Sequence, residues 1–331
     1  MRDLGLLGPW IRRFLLEYLV TDRNLARNTQ MSYRDTLLLL LPFLSKARHK
    51  GVDRLRIDDL SPSEVRSFLE YVEKERGCGG ATRNLRLATI HSLAKFIGLH
   101  SPEHVGWYAA IRTVPFKKTA QATLTYLDKP EVDALLATPD RHTPGGRRDH
   151  AMLLFLYNTG SRASEAAQLA VGDIRWGSSP AVHLVGKGNK ARWCPIWTQT
   201  EALLKQLAAG RTAEDRVFRN RLDQPLTRYG IYRLVQRTVE QASLSMPSLK
   251  DKQISPHCLR HTCAVHLLRS GVDINTIRAW LGHVSLDTTH VYAEIDLEMK
   301  ANALAHCDVP EDVTVKSWHT DKGLIGFLKT L

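Results

Sequence analysis

Cysteine is scarce in this chain. Its 331 residues contain five, Cys78, Cys194, Cys258, Cys263 and Cys307, and no two of them stand in CxxC spacing. An odd number without paired spacing argues against a disulfide framework and against a structural zinc site. Long hydrophobic runs are lacking too: the run Leu37 to Leu41 is closed by Pro42, far short of the roughly 20 apolar residues that span a bilayer. The opening stretch MRDLGLLGPWIRRF is broken by Gly, Pro and Arg before an apolar core of leader length can form, so no targeting segment is expected. These absences point to a reducing, cytoplasmic compartment without a membrane partner.

Acidic residues are also in deficit. Lys and Arg number 46 against 34 Asp and Glu, a formal net charge of +12. Up to Arg112 there are 18 basic and 12 acidic residues, and beyond it 28 and 22, so each part carries the same excess. A basic tail on a neutral body would not look like this. The pattern suits a protein that meets a long polyanion with both halves.

The length favours two domains. In the first, PWIRRFLLEYL sets Trp10, Phe14 and Tyr18 on one helical face. NTQMSYRDTLLLLLPFL follows as a second helix. SPSEVRSFLEYVEKE offers Ser61 as N-cap, Pro62 at the first position and Glu64 to close a capping box. ATRNLRLATIHSLAKFIG offers Thr82 as cap and Gly98 as stop. Four helices therefore fit between Pro9 and Gly98. The stretch TVPFKKTAQATLT has no sustained helical stripe, and we read 113–125 as a linker.

A second domain, 126–307, begins at LDKPEVDALLA with Asp128 and Glu131 as a capping box. AVHLVGKGNKARWCPI has two short β-prone runs around Gly188-Asn189 and predicts a hairpin. TQTEALLKQLAAG, LTRYGIYRLVQRTVEQA, SPHCLRHTCAVHLLRSG and DINTIRAWLG predict further helices. The fold class is mainly α with a small antiparallel β-sheet. The tail 308–331 ends in a short amphipathic piece, too short to be stable alone. It docks either on its own domain or on a neighbouring protomer, and the second is the reading we favour.

Several polar residues invite a chemical reading. Ser255 caps the helix of SPHCLRHT, so that His257 and Arg260 project from one face near a helix N-terminus, a setting that favours anions. His261 shares that face, but Cys258 stands where a zinc-protease pattern needs Glu, and no third ligand is apparent. In TGSRASEAAQL, Arg162 follows a Thr-Gly turn with Glu165 three residues on, which by itself describes an ordinary ion pair. VGKGNKAR lacks the spacing of a nucleotide-binding loop, so Lys187 is at first only a lysine on a hairpin tip. In LGHVSLDTTHVY, His283 and Tyr292 are nine residues apart. One continuous helix would turn through about 900° over that span and put them on opposite faces. Gly282 closes the preceding helix and Ser285 and Asp287 offer new caps, so Tyr292 is expected on a separate short helix.

The order Arg162, Lys187, His257-x-x-Arg260, His283, Tyr292, within TGSRASE, GKGNKAR, PHCLRHT and LGHVSLDTTHVY, resembles the tyrosine recombinases, the phage-integrase and Xer-type family. The motif match runs from Thr125 to Cys307, and none of the six positions is missing. Ser161 and Ala163 flank Arg162 where that family commonly has larger apolar residues, so looser packing is expected there. The resemblance implies a two-domain clamp: residues 1–112 as a helical core-binding domain that contacts DNA, followed by a tyrosine-recombinase catalytic domain.

It also implies the chemistry. Tyr292 would attack a DNA phosphate to form a 3′-phosphotyrosine, Arg162 and Arg260 would clamp the phosphate oxygens, Lys187 would protonate the leaving 5′-oxygen, His257 would assist proton transfer from the phenol, and His283 would hydrogen-bond the phosphate. No metal and no cofactor are expected. The expected partner is double-stranded DNA, held by a homo-tetramer on synapsed duplexes; whether a second recombinase joins it stays open. Arg27, Arg34, Arg83, Arg86, Lys190 and Arg192 are the candidates for gripping the DNA backbone. The protein would be cytoplasmic and associated with the nucleoid. Two rivals remain: a type IB topoisomerase with the same residues, and a DNA-binding accessory protein whose catalytic set is idle.

Overall fold

The computed structural model describes residues 5–119, 124–186 and 188–282. The chain divides into two compact units, Met1–Ala122 and Thr123–Leu331.

The first unit is all helical among its described residues. α1 (Leu7–Arg13) continues without a break into a π-helical stretch, Phe14–Asp22, and α2 (Arg27–Arg48), α3 (Pro62–Lys74), α4 (Gly80–His100) and α5 (Val105–Arg112) follow. Its core is aromatic at the centre. Phe14 and Phe96 have ring centroids 5.7 Å apart, with Tyr18 5.1 Å from Phe96. Each fully buried Phe contributes about 1.5–3 kcal/mol by leaving water. The expected cap at Ser61 forms, its hydroxyl accepting the Glu64 N–H. The Glu64 carboxylate pairs with Arg48 at 3.2 Å.

α4 corrects two expectations. Its N-cap is Gly79, which leaves Thr82 inside the first turn, and the helix runs through Gly98 to His100. A Cβ on Gly98 would lie 2.7 Å from the Cβ of Tyr108, so this glycine admits α5 at close range and stops nothing. Pro42 likewise sits inside α2.

The second unit begins with α6 (Lys129–Ala137), whose Asp128 and Glu131 form the expected capping box. α7 (Pro144–Thr159) is the central helix: every residue from Asp149 to Thr159 is buried. α8 (Ala163–Gln168) leads to a three-stranded antiparallel sheet in the order β1 (Ile174–Arg175), β2 (Ala181–Val185), β3 (Ala191–Pro195). β2 and β3 are the expected hairpin, with His183 opposite Trp193. In its turn Gly188 and Asn189 take positive φ of 75° and 58°, the geometry that Asn and Gly tolerate best.

α9 (Thr198–Ala208), α10 (Arg228–Ala242), α11 (Pro256–Arg269) and α12 (Ile274–Leu281) complete the described part. α11 is capped by Ser255, which accepts the Cys258 N–H. α12 is capped by Asp273, which accepts from Asn275 and Thr276. Gly282 ends α12 in the left-handed region, φ 67°, as its place in the sequence predicts. Among the described residues no helix is long and apolar enough to cross a membrane. The tail 308–331 lies outside the described residues.

Candidate active site

Three of the six chemistry-bearing residues are described, and the second unit gathers them around one turn. α7 ends at Gly160, φ 58°. A Cβ there would meet Leu281 Cδ2 at 2.5 Å and Cys263 Sγ at 3.2 Å, so only glycine lets α11 and α12 close on this turn. Two residues later the chain presents Arg162 at the N-terminus of α8.

Arg260 reaches the same turn from α11. Its side chain is buried, donating from Nη1 to the Gly160 carbonyl at 2.7 Å and from Nη2 to the Leu281 carbonyl at 2.6 Å. Both oxygens lie at helix C-termini, where carbonyls lack intrahelical partners and carry the negative end of the helix dipole. The fold therefore holds a buried cation with the dipoles of two helix-terminal carbonyls.

Arg162 is differently held. Its Nη1 donates to Glu165 Oε1 at 2.7 Å and its backbone N–H to Glu165 Oε2 at 3.0 Å. The exposed surface pair suggested by the i, i+3 spacing is thus half right: the Arg162 side chain is 29% exposed, but that of Glu165 is only 2% exposed. Burial raises the Glu165 pKa, and the bonds from Arg192 and Arg162 outweigh it, holding the carboxyl below its ordinary range. The hairpin packs directly on this pair. A Cβ on Gly186 would stand 3.0 Å from Glu165 Oε1 and 3.5 Å from Arg162 Nη1. Lys187 comes next in the sequence and lies outside the described residues, as do His283 and Tyr292.

His257 projects from the first turn of α11 into a cleft of about 460 Å³ that it shares with Arg162, Ala163, Ser164 and Ser255. Desolvation first, and the Arg260 and Arg162 charges second, hold its pKa below the usual histidine value. It is therefore neutral near pH 7 and able to accept a proton. His261 lies one turn on, its ring centroid 6.3 Å from that of His257. Its pKa falls to about 4, through desolvation and then the His257 and Arg260 charges. Among the described residues no three His, Cys, Asp or Glu side chains gather as a metal site would require.

The cleft has a further wall that sequence reading missed: Arg228, Tyr229 and Tyr232 from α10. Tyr229 is 68% and Tyr232 43% exposed. The available signal was that both fall off the apolar face defined by Ile231, Leu234 and Val235.

The backbone-gripping candidates separate. Arg27, Arg34 and Lys190 are exposed, with Arg34 paired to Asp35 at 2.7 Å. Arg83 donates to the Pro115 carbonyl at 2.9 Å and Arg86 to the Thr36 hydroxyl at 2.9 Å. Arg192 turns inward, bonding the Trp280 carbonyl at 2.7 Å and Glu165 at 2.8 Å.

Comparison with known proteins identifies the family. The phage integrase family model matches residues 125–299, and the phage integrase N-terminal SAM-like domain matches 11–98. The chain is 36% identical over 327 residues to the putative integrase/recombinase y4rC of Sinorhizobium fredii, covering 98% of each. It is 32% identical to tyrosine recombinase XerC of Oceanobacillus iheyensis, over 85% of this chain and 90% of that one. Among solved structures, XerH site-specific recombinase bound to a palindromic difH substrate superposes with a TM-score of 0.66 at 22% identity, over 86% of this chain and 81% of that one. Two arginines converging on one helix-terminal turn, a neutral histidine beside them and a matching family model over both domains lead to one conclusion: the chain belongs to the phage integrase family and is a site-specific DNA recombinase of the tyrosine type.

Proposed function

We propose that this recombinase cuts duplex DNA by attack of the Tyr292 phenolic oxygen on a backbone phosphorus. The P–O5′ bond breaks, a 3′-phosphotyrosine forms, and the 5′-oxygen leaves as a hydroxyl with a proton from Lys187. The proton of the phenol passes to His257. A 5′-hydroxyl from a second duplex then attacks the phosphotyrosine and restores a phosphodiester. Because the ester keeps the energy of the bond that was cut, resealing needs no ATP.

The observation that carries this reading is that Arg162 and Arg260 both meet the turn at Gly160, one side chain partly open to the cleft and the other buried and held by two backbone carbonyls. Forked guanidiniums suit the oxygens of a phosphorane-like transition state, where charge builds up. A phenol with a solution pKa of about 10 is a weak nucleophile at neutral pH. It gains reactivity only where such cations surround its target, which guards DNA against an unassembled enzyme. His283 completes the phosphate contacts in this reading.

Arg27, Arg34 and Lys190, all exposed, are the backbone contacts it favours, and Arg228, Tyr229 and Tyr232 extend the DNA surface beside the cleft. Four protomers act together on two synapsed duplexes, in a cytoplasmic, nucleoid-associated assembly. A plasmid carrying two copies of the DNA sequence that the protein protects from nuclease tests it. Exchange between the sites, without ATP, is the expected result. Relaxation of supercoils with no exchanged product would return the topoisomerase reading.

A further inference from the structure

Glu165 has a second cationic partner that the reaction scheme does not use. Arg192 Nη2 donates to Glu165 Oε2 at 2.8 Å, while Arg162 Nη1 holds Oε1 at 2.7 Å. The Arg192 side chain is 9% exposed and its Nε donates to the Trp280 carbonyl at 2.7 Å. One guanidinium thus joins three elements: β3, on which it sits, α8 through Glu165, and the last turn of α12.

The surrounding chain is fitted to it. A Cβ on Gly282 would lie 3.1 Å from Arg192 Cδ and Nη1, so the left-handed glycine that closes α12 also makes room for this side chain. His283 follows Gly282 in the sequence, and Lys187 follows Gly186, which abuts the same carboxylate.

Charge gives the arrangement its purpose. Arg162 and Glu165 alone sum to zero, which would leave little attraction for a phosphate. With Arg192 the three sum to one positive charge, and the carboxylate is drawn between two cations instead of taking Arg162 for itself. Arg162 gives Glu165 one side-chain bond, from Nη1, while Arg192 occupies Oε2, so the remaining guanidinium N–H groups of Arg162 are not drawn to this carboxylate.

We propose that Arg192 is a positioning residue for strand cleavage: through Glu165 it sets the placement and effective charge of Arg162, through the Trp280 carbonyl it fixes the end of α12, and it makes no contact with DNA. This rests on the cleavage reading given above. It assigns to Arg192 a task different from the phosphate contact that its basic character first suggested.

The test uses the full chain and a nicked suicide duplex containing the protected sequence, with saturating protein. Two quantities are measured for the wild type, Arg192→Met and Arg192→Lys: the single-turnover rate of covalent attachment, and the slope of log affinity against log salt concentration. A misplacement of about 1 Å in a catalytic group costs about 100-fold in rate, and that is the loss expected for Arg192→Met. Arg192→Lys keeps a cation beside Glu165 but cannot also reach Trp280, and should recover to within about tenfold of wild type. The salt slope should not move in either variant. A slope smaller by about one would mark a lost phosphate contact and overturn the proposal, as would wild-type attachment rates in both variants. If Arg192→Met does not fold, Arg192→Lys decides by the same two readouts. Wild-type protein that never attaches to DNA would instead overturn the cleavage reading itself, and this inference with it.

Discussion

Replacing Arg260 by alanine separates two tasks that the fold has placed on one side chain. In the structure its guanidinium is the hydrogen-bond donor for the carbonyls of Gly160 and Leu281, at 2.7 and 2.6 Å. Both oxygens close helices, and without Arg260 each becomes a buried acceptor with its partner gone. An orphaned buried acceptor costs about 1–3 kcal/mol, so the pair accounts for about 2–6 kcal/mol. Removing a buried cation also removes its own desolvation cost, which brings the net loss to about 2–4 kcal/mol. For a domain of this size that is a fall of about 5–15 °C in melting temperature.

Arg162→Ala is the control. Its side chain is 29% exposed, and the Glu165 carboxylate it leaves behind keeps the Arg192 bond, so its stability loss should stay below about 1 kcal/mol. Both variants should lose covalent attachment to DNA. Urea denaturation of the two, followed by far-ultraviolet circular dichroism, measures the difference. An Arg260→Ala variant as stable as Arg162→Ala would refute the claim that backbone dipoles of α7 and α12 depend on this cation.

Ser161 is completely buried and its hydroxyl has no hydrogen-bond partner among the described residues, so Ser161→Ala should leave stability unchanged or raise it by about 1 kcal/mol; a loss above that size in urea melts would contradict the packing described. His261 has its pKa lowered to about 4 in the folded protein, so the unfolded chain binds its proton first. Stability from this group is fully present above about pH 6.5 and is lost as pH falls toward 4. Melting temperatures of His261→Gln should therefore vary less with pH across that window than those of the wild type, and equal pH dependence would count against it. Deleting 313–331 should leave binding to a single site intact and abolish exchange between two sites; full exchange by the truncated chain would refute inter-protomer docking of the tail.

Local signals in the sequence were sufficient wherever a few neighbouring residues decide the structure. The caps at Ser61, Asp128, Ser255 and Asp273, the hairpin strands and the stop at Gly282 all follow from residues within one turn of each other. Features decided across the fold were not legible. Gly98 reads as a helix stop, but its reason is Tyr108 on another helix. β1, two residues long, shows no alternation that could be recognised. Arg83, Arg86 and Arg192 read as surface cations because their partners, Pro115, Thr36 and Trp280, lie 32, 50 and 88 residues away. The three described members of the candidate site, Arg162, His257 and Arg260, were identified by motif order. That order could not indicate that the Arg260 side chain would be buried while that of Arg162 stays partly exposed, nor that Glu165 would bridge Arg162 to the hairpin.

The central claim is that fixed positive charge around Arg162 and Arg260 lets the phenol of Tyr292 take over a DNA linkage. The most direct measurement is mass mapping of the peptide covalently joined to a suicide duplex after protease digestion. The account predicts one adduct, on Tyr292, absent from Tyr292→Phe. An adduct on another residue, or attachment that persists in Tyr292→Phe, would contradict it.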